Sequence, residues 1–456
     1  MRHLPTLVSA GNPTSPYGKG SSGPWRGTRL MAEPSFSLID ACRMCGSSGL
    51  FPILDLGRQP LANGLTLPGR PNAPEFPLAI VGCHECSLVQ LNGSVDPRAM
   101  FDEYLYFSSY SDSMLTSMRH LAAATVERFH LGTDDLVMEI ASNDGYLLGH
   151  YRDLGVRVLG IEPASNVAEV AQEAGIETRV DYFTAELASE LRASGCRPRV
   201  IHANNVLAHV PDIHDLVEGI SLLLDDEGAA IIETPYLLDL LDRGLFETIY
   251  HEHVFYYSLE ALQRLFSAHD LTILDCEHLE VHGGSLRVTV CKGDAVRPTA
   301  RAGRASGVEA LRGLRSAGAY SAFVAEVSAA RSEVVRQFGR IKACGSSLVG
   351  YGAAAKATVL LNFARIDANT IDYVVDRNPA KQGRLIPGTG IEVAAVERLR
   401  EEPPDVVAVL VWNLADEVRS QLRWYAAAGG ELIVPLEERR RLDRRTTSRA
   451  ASSDPR

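Results

Sequence analysis

The run Leu136-Val-Met-Glu139-Ile-Ala141-Ser-Asn143-Asp-Gly145 constrains this chain more than any other stretch. Apolar Leu136–Ile140 reads as a strand, the polar loop closes at Gly145, and Tyr146–Arg152 reads as the start of a helix. Strand, tight turn and helix open a βαβ unit. A second apolar run, Val156–Ile161, ends in Glu162. Ligands of a parallel α/β sheet sit at the carboxyl ends of its strands, so Glu162 is placed to accept hydrogen bonds from both hydroxyls of a ribose. NAD and S-adenosylmethionine (SAM) both offer that diol. A pyrophosphate needs a G-x-G-x-x-G turn. Here the loop has one glycine, and Glu139 stands where a pyrophosphate would be repelled but an ammonium or sulfonium would not. The expectation is a SAM loop using Glu139, Ala141, Asn143 and Gly145, with Glu162 on the ribose. An ordinary turn would explain Gly145 but not both carboxylates.

Further strands are expected at 177–180, 199–205, 229–233, 271–275 and 286–290. Asp181, after the third, is placed to meet the adenine amino group, though a simple turn would look the same. Asn204, at the end of the fourth, would face the methionine end of SAM. His209 follows on the next turn as a secondary catalytic candidate.

Four of eight cysteines form two pairs, Cys42-x-x-Cys45 and Cys83-x-x-Cys86. Two such knuckles make a tetrahedral thiolate cage, and four thiolates close it, so a structural zinc is expected. Tyr104–Ser111 alternates tyrosine and serine, which fits either an amphipathic surface strand or a polar lining for a substrate. The insertion after the fifth strand carries Tyr250-His251-Glu252-His253. Histidines two apart lie far apart round a helix, and the zincin motif needs i, i+4 spacing. A titratable acid–base cluster fits better than a metal site: His as base, Glu as orienter, Tyr as donor.

These blocks, together with His282-Gly-Gly-Ser285-Leu-Arg287, make the chain resemble the bacterial sugar-nucleotide C-methyltransferases from about Ser37 to Pro435. The resemblance implies a zinc-binding N-terminal module, a class I SAM methyltransferase Rossmann-like domain and a smaller C-terminal Rossmann-like domain that helps hold the nucleotide. It implies His253 as the base, with Tyr250, Glu252 and Tyr104 in the same pocket, and His282, Ser285, Arg287, Tyr351 and Lys356 towards the sugar nucleotide. The implied reaction methylates a carbon of a dTDP-linked 4-keto-deoxysugar, C3 in preference to C5, for an antibiotic or similar glycoside.

The third unit also reads physically. Ala319–Ile341 has helical periodicity, and Leu348–Lys356 is again strand, Gly-rich turn and helix. Its G-x-G is open to two readings: NAD with Asp376 on the ribose, or a diphosphate at the helix N-terminus beside Lys356. The resemblance favours the dTDP diphosphate; an NAD-dependent oxidoreductase acting on a nucleotide sugar is the alternative function.

The expected α/β organisation is a disordered extension over 1–36, the zinc module over 37–100, the methyltransferase domain over 101–298, the C-terminal domain over 299–436 and a disordered tail over 437–456. Met31 is a second possible start. A net charge of −12 argues against nucleic acid as a partner, and no apolar run is long enough to span a membrane. The 36 N-terminal residues lack the apolar core of a signal peptide, so a cytoplasmic monomer with reduced cysteines is expected.

Overall fold

The computed structural model describes residues 35–70, 73–97, 100, 107–110, 112–293 and 297–437. The expectations for Tyr104, for residues 1–34 and for residues 438–456 lie outside them, as does the side chain of His282.

The N-terminal module holds β1 (Phe36–Leu38), β2 (Leu50–Pro60), β3 (Glu75–Cys83), β4 (Val89–Leu91) and β5 (Gly93–Val95). Strands β2, β3 and β4 form an antiparallel meander, and β1 pairs with β5. The long spacing between the two cysteine pairs is taken up by the β2–β3 hairpin. Cys83 ends β3, and Cys86 lies in the turn to β4.

The central sheet uses β6 (Leu136–Ile140), β7 (Arg157–Ile161), β8 (Thr178–Arg179), β9 (Val200–Asn204) and β10 (Ala229–Pro235), all parallel. The insertion after β10 supplies β11 (Phe255–Tyr256) to another sheet. An antiparallel hairpin, β12 (Leu271–Leu279) and β13 (Ser285–Lys292), completes the order β12-β13-β10-β9-β6-β7-β8. Every residue of β9 is buried, as a parallel strand covered on both faces must be. Three helices over it are capped by side chains: Thr184 accepts from Leu187 N–H, Asp212 from Asp215 N–H and Ser258 from Ala261 N–H. Strand β10 runs two residues past the expected Glu233, because Pro235 pairs with Ser285 of the hairpin.

The sheet reverses its order between β6 and β9, and that switch point opens a crevice at their carboxyl ends. The third unit repeats the plan with β14 (Leu348–Tyr351), β15 (Val374–Val375), β16 (Val393–Ala394), β17 (Val406–Val409) and β18 (Glu431–Ile433), all parallel in the order β16-β15-β14-β17-β18. The helix leading to it spans Ser321–Ala343 and tolerates Gly339 because that position is exposed.

Strand β11 pairs with β4, so the insertion carrying Tyr250–His253 is the edge of the four-stranded sheet β11-β4-β3-β2. One apolar core runs through all three units. Phe246 of the insertion is fully buried and its ring lies 5.3 Å from that of Phe363 in the third unit. Burying such a side chain contributes about 1.5–3 kcal/mol. Among the described residues, no helix is long and apolar enough to cross a membrane.

Candidate functional site

The Sγ atoms of Cys42, Cys45, Cys83 and Cys86 all lie within 4.8 Å of one another. Cys42 is 3.5 Å from Cys86 and Cys45 is 3.6 Å from Cys83. Zinc–sulfur bonds of 2.3 Å at tetrahedral angles need sulfurs about 3.8 Å apart, so the cage fits zinc and leaves no position for a reacting ligand. Arg43, inside the first knuckle, donates to Gln90 Oε1 and to the Leu91 carbonyl, which fixes the knuckle to β4.

The loop after β6 is held in a conformation that few residues adopt. Ala141 and Asn143 have φ of +51° and +50°, and Asn205 after β9 has +55°. Left-handed conformations at non-glycine residues cluster at functional sites because the surrounding fold must impose them. Glu162 does much of this. One carboxylate oxygen accepts from Asn143 N–H and the other from Ala164 N–H, both at 2.9 Å. Burial raises its pKa and these two amides pull it back. Asn143 Oδ1 accepts from Ser108 N–H, and Asp144 accepts from Ser109 N–H. The described part of the hydroxyl-rich stretch is therefore a 3-10 turn docked on this loop, with no strand at 108–110. Glu139 is fully buried and accepts from Asn204 Nδ2; burial pushes its pKa well above the carboxylate range.

Tyr250 and His253 of the insertion meet each other and His209, from the turn after β9. The His253 ring takes the Thr248 carbonyl at Nδ1 (2.9 Å) and the Tyr250 hydroxyl at Nε2 (2.8 Å). A carbonyl only accepts, so the proton sits on Nδ1 and Nε2 carries the basic lone pair. The His209 ring stands edge-on to His253, with centroids 4.8 Å apart. Burial lowers the His209 pKa to about 4, so at neutral pH it is uncharged.

One cavity of about 760 Å³ joins these parts, within the range for ligand sites and large for one ligand. Its wall includes Ala141, Asn143, Glu162 and Asn204 at one end, His209, Tyr250 and His253 in the middle, and Lys356 at the third unit. Several expected contacts stand elsewhere, each for a visible reason. Glu139 lies beneath the loop, and Gly145 turns it at φ +78° where a Cβ would strike Ile176. Asp181 is half-buried and paired with Arg179, while its neighbours Tyr182 and Phe183 line the cavity. Glu252 is turned away, its two oxygens 2.8 and 3.0 Å from Asn63 Nδ2. Ser285 is buried and donates to the Val281 carbonyl. Arg287 is committed to Glu233 and Glu277. Tyr351 donates to Gln421. Of the two glycines before Ser285, Gly283 faces the third unit, where a Cβ would meet Trp412, and Gly284 packs on Asp239.

Sequence reasoning missed Asn63, Tyr182, Phe183 and Lys381 in the wall, while Ser108 belongs to the stretch Tyr104–Ser111 read as a possible polar lining. Lys381 donates to the Ala353 carbonyl and lies 3.7 Å from Asp376. Asp376 in turn accepts from Ala353 N–H and Asn378 N–H, so it braces its own turn, which does not favour a ribose contact there. No local pattern marks Asn63, Tyr182, Phe183 or Lys381.

Comparison with known proteins agrees with this layout. Residues 42–101 match a family described as "Putative zinc binding domain", 114–275 a methyltransferase domain and 280–437 a C-methyltransferase C-terminal domain. C-methyltransferase NovU of Streptomyces niveus is 34% identical over 414 residues, covering 90% of this chain and 98% of NovU. Among solved structures, a SAM-dependent methyltransferase from Clostridium acetobutylicum matches 40% of this chain and 92% of its own (13% identity, TM-score 0.33). Magnesium protoporphyrin IX methyltransferase from Synechocystis matches 39% and 79% (12% identity, TM-score 0.31). With a relative spanning nearly its whole length and all three family domains in sequence order, the chain belongs to the SAM-dependent C-methyltransferase family that includes NovU.

Proposed function

We propose that the protein methylates the carbon beside the ketone of a dTDP-linked 4-keto-deoxysugar, C3 rather than C5, towards a branched sugar of an antibiotic or similar glycoside. The observation that carries this reading is a histidine–tyrosine pair opening on the same cavity as the SAM loop and the lysines of the third unit. A saturated sugar carbon has no electron pair to give, but a ketone at C4 makes the adjacent C–H acidic. His253 Nε2 takes that proton, and the C–H electron pair becomes the enolate π bond, with charge on O4. The Tyr250 hydroxyl, which occupies Nε2 in the resting site, turns to O4 and so frees the base and stabilises the charge. His209 is a second candidate donor. Bound SAM would supply the electrophilic methyl: the enolate carbon takes it as the ketone is restored, the S–CH3 electron pair returns to sulfur, and S-adenosylhomocysteine leaves. Asn143, Glu162 and Asn204 would hold the cofactor, and Lys356 with Lys381 would face the diphosphate. A positioned base contributes roughly 10²–10⁴-fold. His253→Asn is expected to lose about that much rate while still binding SAM. In deuterated water without methyl transfer, wild type should wash deuterium into the carbon beside the ketone. Exchange that survives in His253→Asn would assign the base to another residue.

A further inference from the structure

The turn at residues 61–66 belongs to the zinc module, yet it touches both other units. Thr358 of the third unit, two residues beyond Lys356, donates to the Ala62 carbonyl at 2.9 Å from a buried position. Thr66 and Leu385 exchange backbone hydrogen bonds of 3.1 and 2.7 Å. Between these anchors Asn63 reaches into the insertion, its amide nitrogen 2.8 and 3.0 Å from the two oxygens of Glu252. Glu252 is 3% exposed.

The residues flanking His253 are gripped by the same module. His251 Nε2 donates to the Pro77 carbonyl at 3.2 Å. Leu91 N–H donates to the Val254 carbonyl at 2.8 Å. Sequence reading gives Glu252 a role towards the sugar, but its carboxylate is turned to Asn63 and away from the cavity wall. We infer that Asn63 is a positioning residue: by binding the Glu252 carboxylate it fixes the backbone on which His253 stands. The inference rests on reading Tyr250–His253 as the catalytic segment. Its physical basis is that a buried carboxylate set against a like charge is costly, so the segment would shift to separate the two. A displacement of about 1 Å at a reacting group can cost about 10²-fold in rate.

A reciprocal exchange of the two groups tests this. Asn63→Asp and Glu252→Gln are each isosteric. Asn63→Asp sets two carboxylates against each other, and is expected to lose about 10²-fold in both deuterium exchange and methyl transfer with SAM affinity unchanged by calorimetry. The double variant restores an amide facing a carboxylate with the roles reversed, and is expected to recover most of that loss. Recovery distinguishes positioning from a direct role of the Glu252 charge on the sugar, which the double variant lacks. Two results would overturn the inference: an Asn63→Asp enzyme with wild-type turnover, or a double variant no better than the worse single one. If a single variant fails to fold, activity of the double variant still decides the question. His253→Asn run in parallel separates the outcomes, since exchange surviving there refutes the base assignment while rescue by the reciprocal pair continues to report on Asn63.

Discussion

Glu162→Gln is the most informative change at the cofactor end. The wild-type carboxylate accepts two backbone amides, Asn143 N–H and Ala164 N–H, at 2.9 Å each, and the side chain is 4% exposed. A glutamine has one acceptor oxygen and one donor nitrogen, so in either orientation one of the two amides meets an N–H group. A buried donor left without its acceptor costs about 1–3 kcal/mol. The strained Asn143, at φ +50°, loses a clamp at the same time. Taking about 2 kcal/mol, the apo protein should lose that much unfolding free energy in urea. If the same loop geometry is required for SAM, affinity in calorimetry should weaken by about 30-fold, at roughly tenfold per 1.4 kcal/mol. A pure ribose contact would instead weaken SAM and leave the apo protein as stable as wild type. Unchanged values in both assays would refute the reasoning altogether.

Three further outcomes are expected. Cys42→Ser opens the thiolate cage, so elemental analysis should fall below one zinc per chain and the melting temperature should drop, because zinc binding contributes directly to folding. Lys356→Ala should weaken the nucleotide sugar and also lower turnover, since remote binding energy fixes the sugar at the base; unchanged values for both would give the third unit another role. Acid should destabilise the fold through His209, whose pKa burial lowers from 6.5 to about 4. Between those values the unfolded chain binds the proton and the folded chain does not, so stability is full above pH 6.5 and is lost as pH falls towards 4. The loss from this residue is about 3 kcal/mol, and His209→Gln should flatten that part of a stability–pH profile.

Much of the site was legible because its chemistry is local. The loop Glu139–Gly145 is a contiguous strand-to-helix turn, and two C-x-x-C pairs announce a cage wherever the fold brings them together. Tyr250 and His253 are three residues apart, so a short turn suffices to join them. Glu139, Glu252, Arg287 and Tyr351 stand elsewhere for one shared reason: each has a charged or polar group whose partner comes from a distant stretch, whereas Asp181 and Ser285 are held by residues two and four positions away. Arg287 looked free to bind an anion until β10 brought Glu233 beside it. Glu252 looked like a catalytic carboxylate until Asn63, 189 residues earlier, took both its oxygens.

By itself, then, the sequence determined the βαβ starts, the two cysteine knuckles and the Tyr250–His253 pair, all of which depend on neighbours a few residues away. Only the tertiary structure decided which carboxylates face the cavity and that a zinc-module strand, β4, carries the insertion with Tyr250 and His253 as its sheet partner. It alone brought Lys381 and Asn63 into the wall. Local propensity fixes which element forms, whereas the direction in which a buried polar side chain turns is set by the hydrogen-bond partner that folding delivers, and that partner has no fixed distance along the chain.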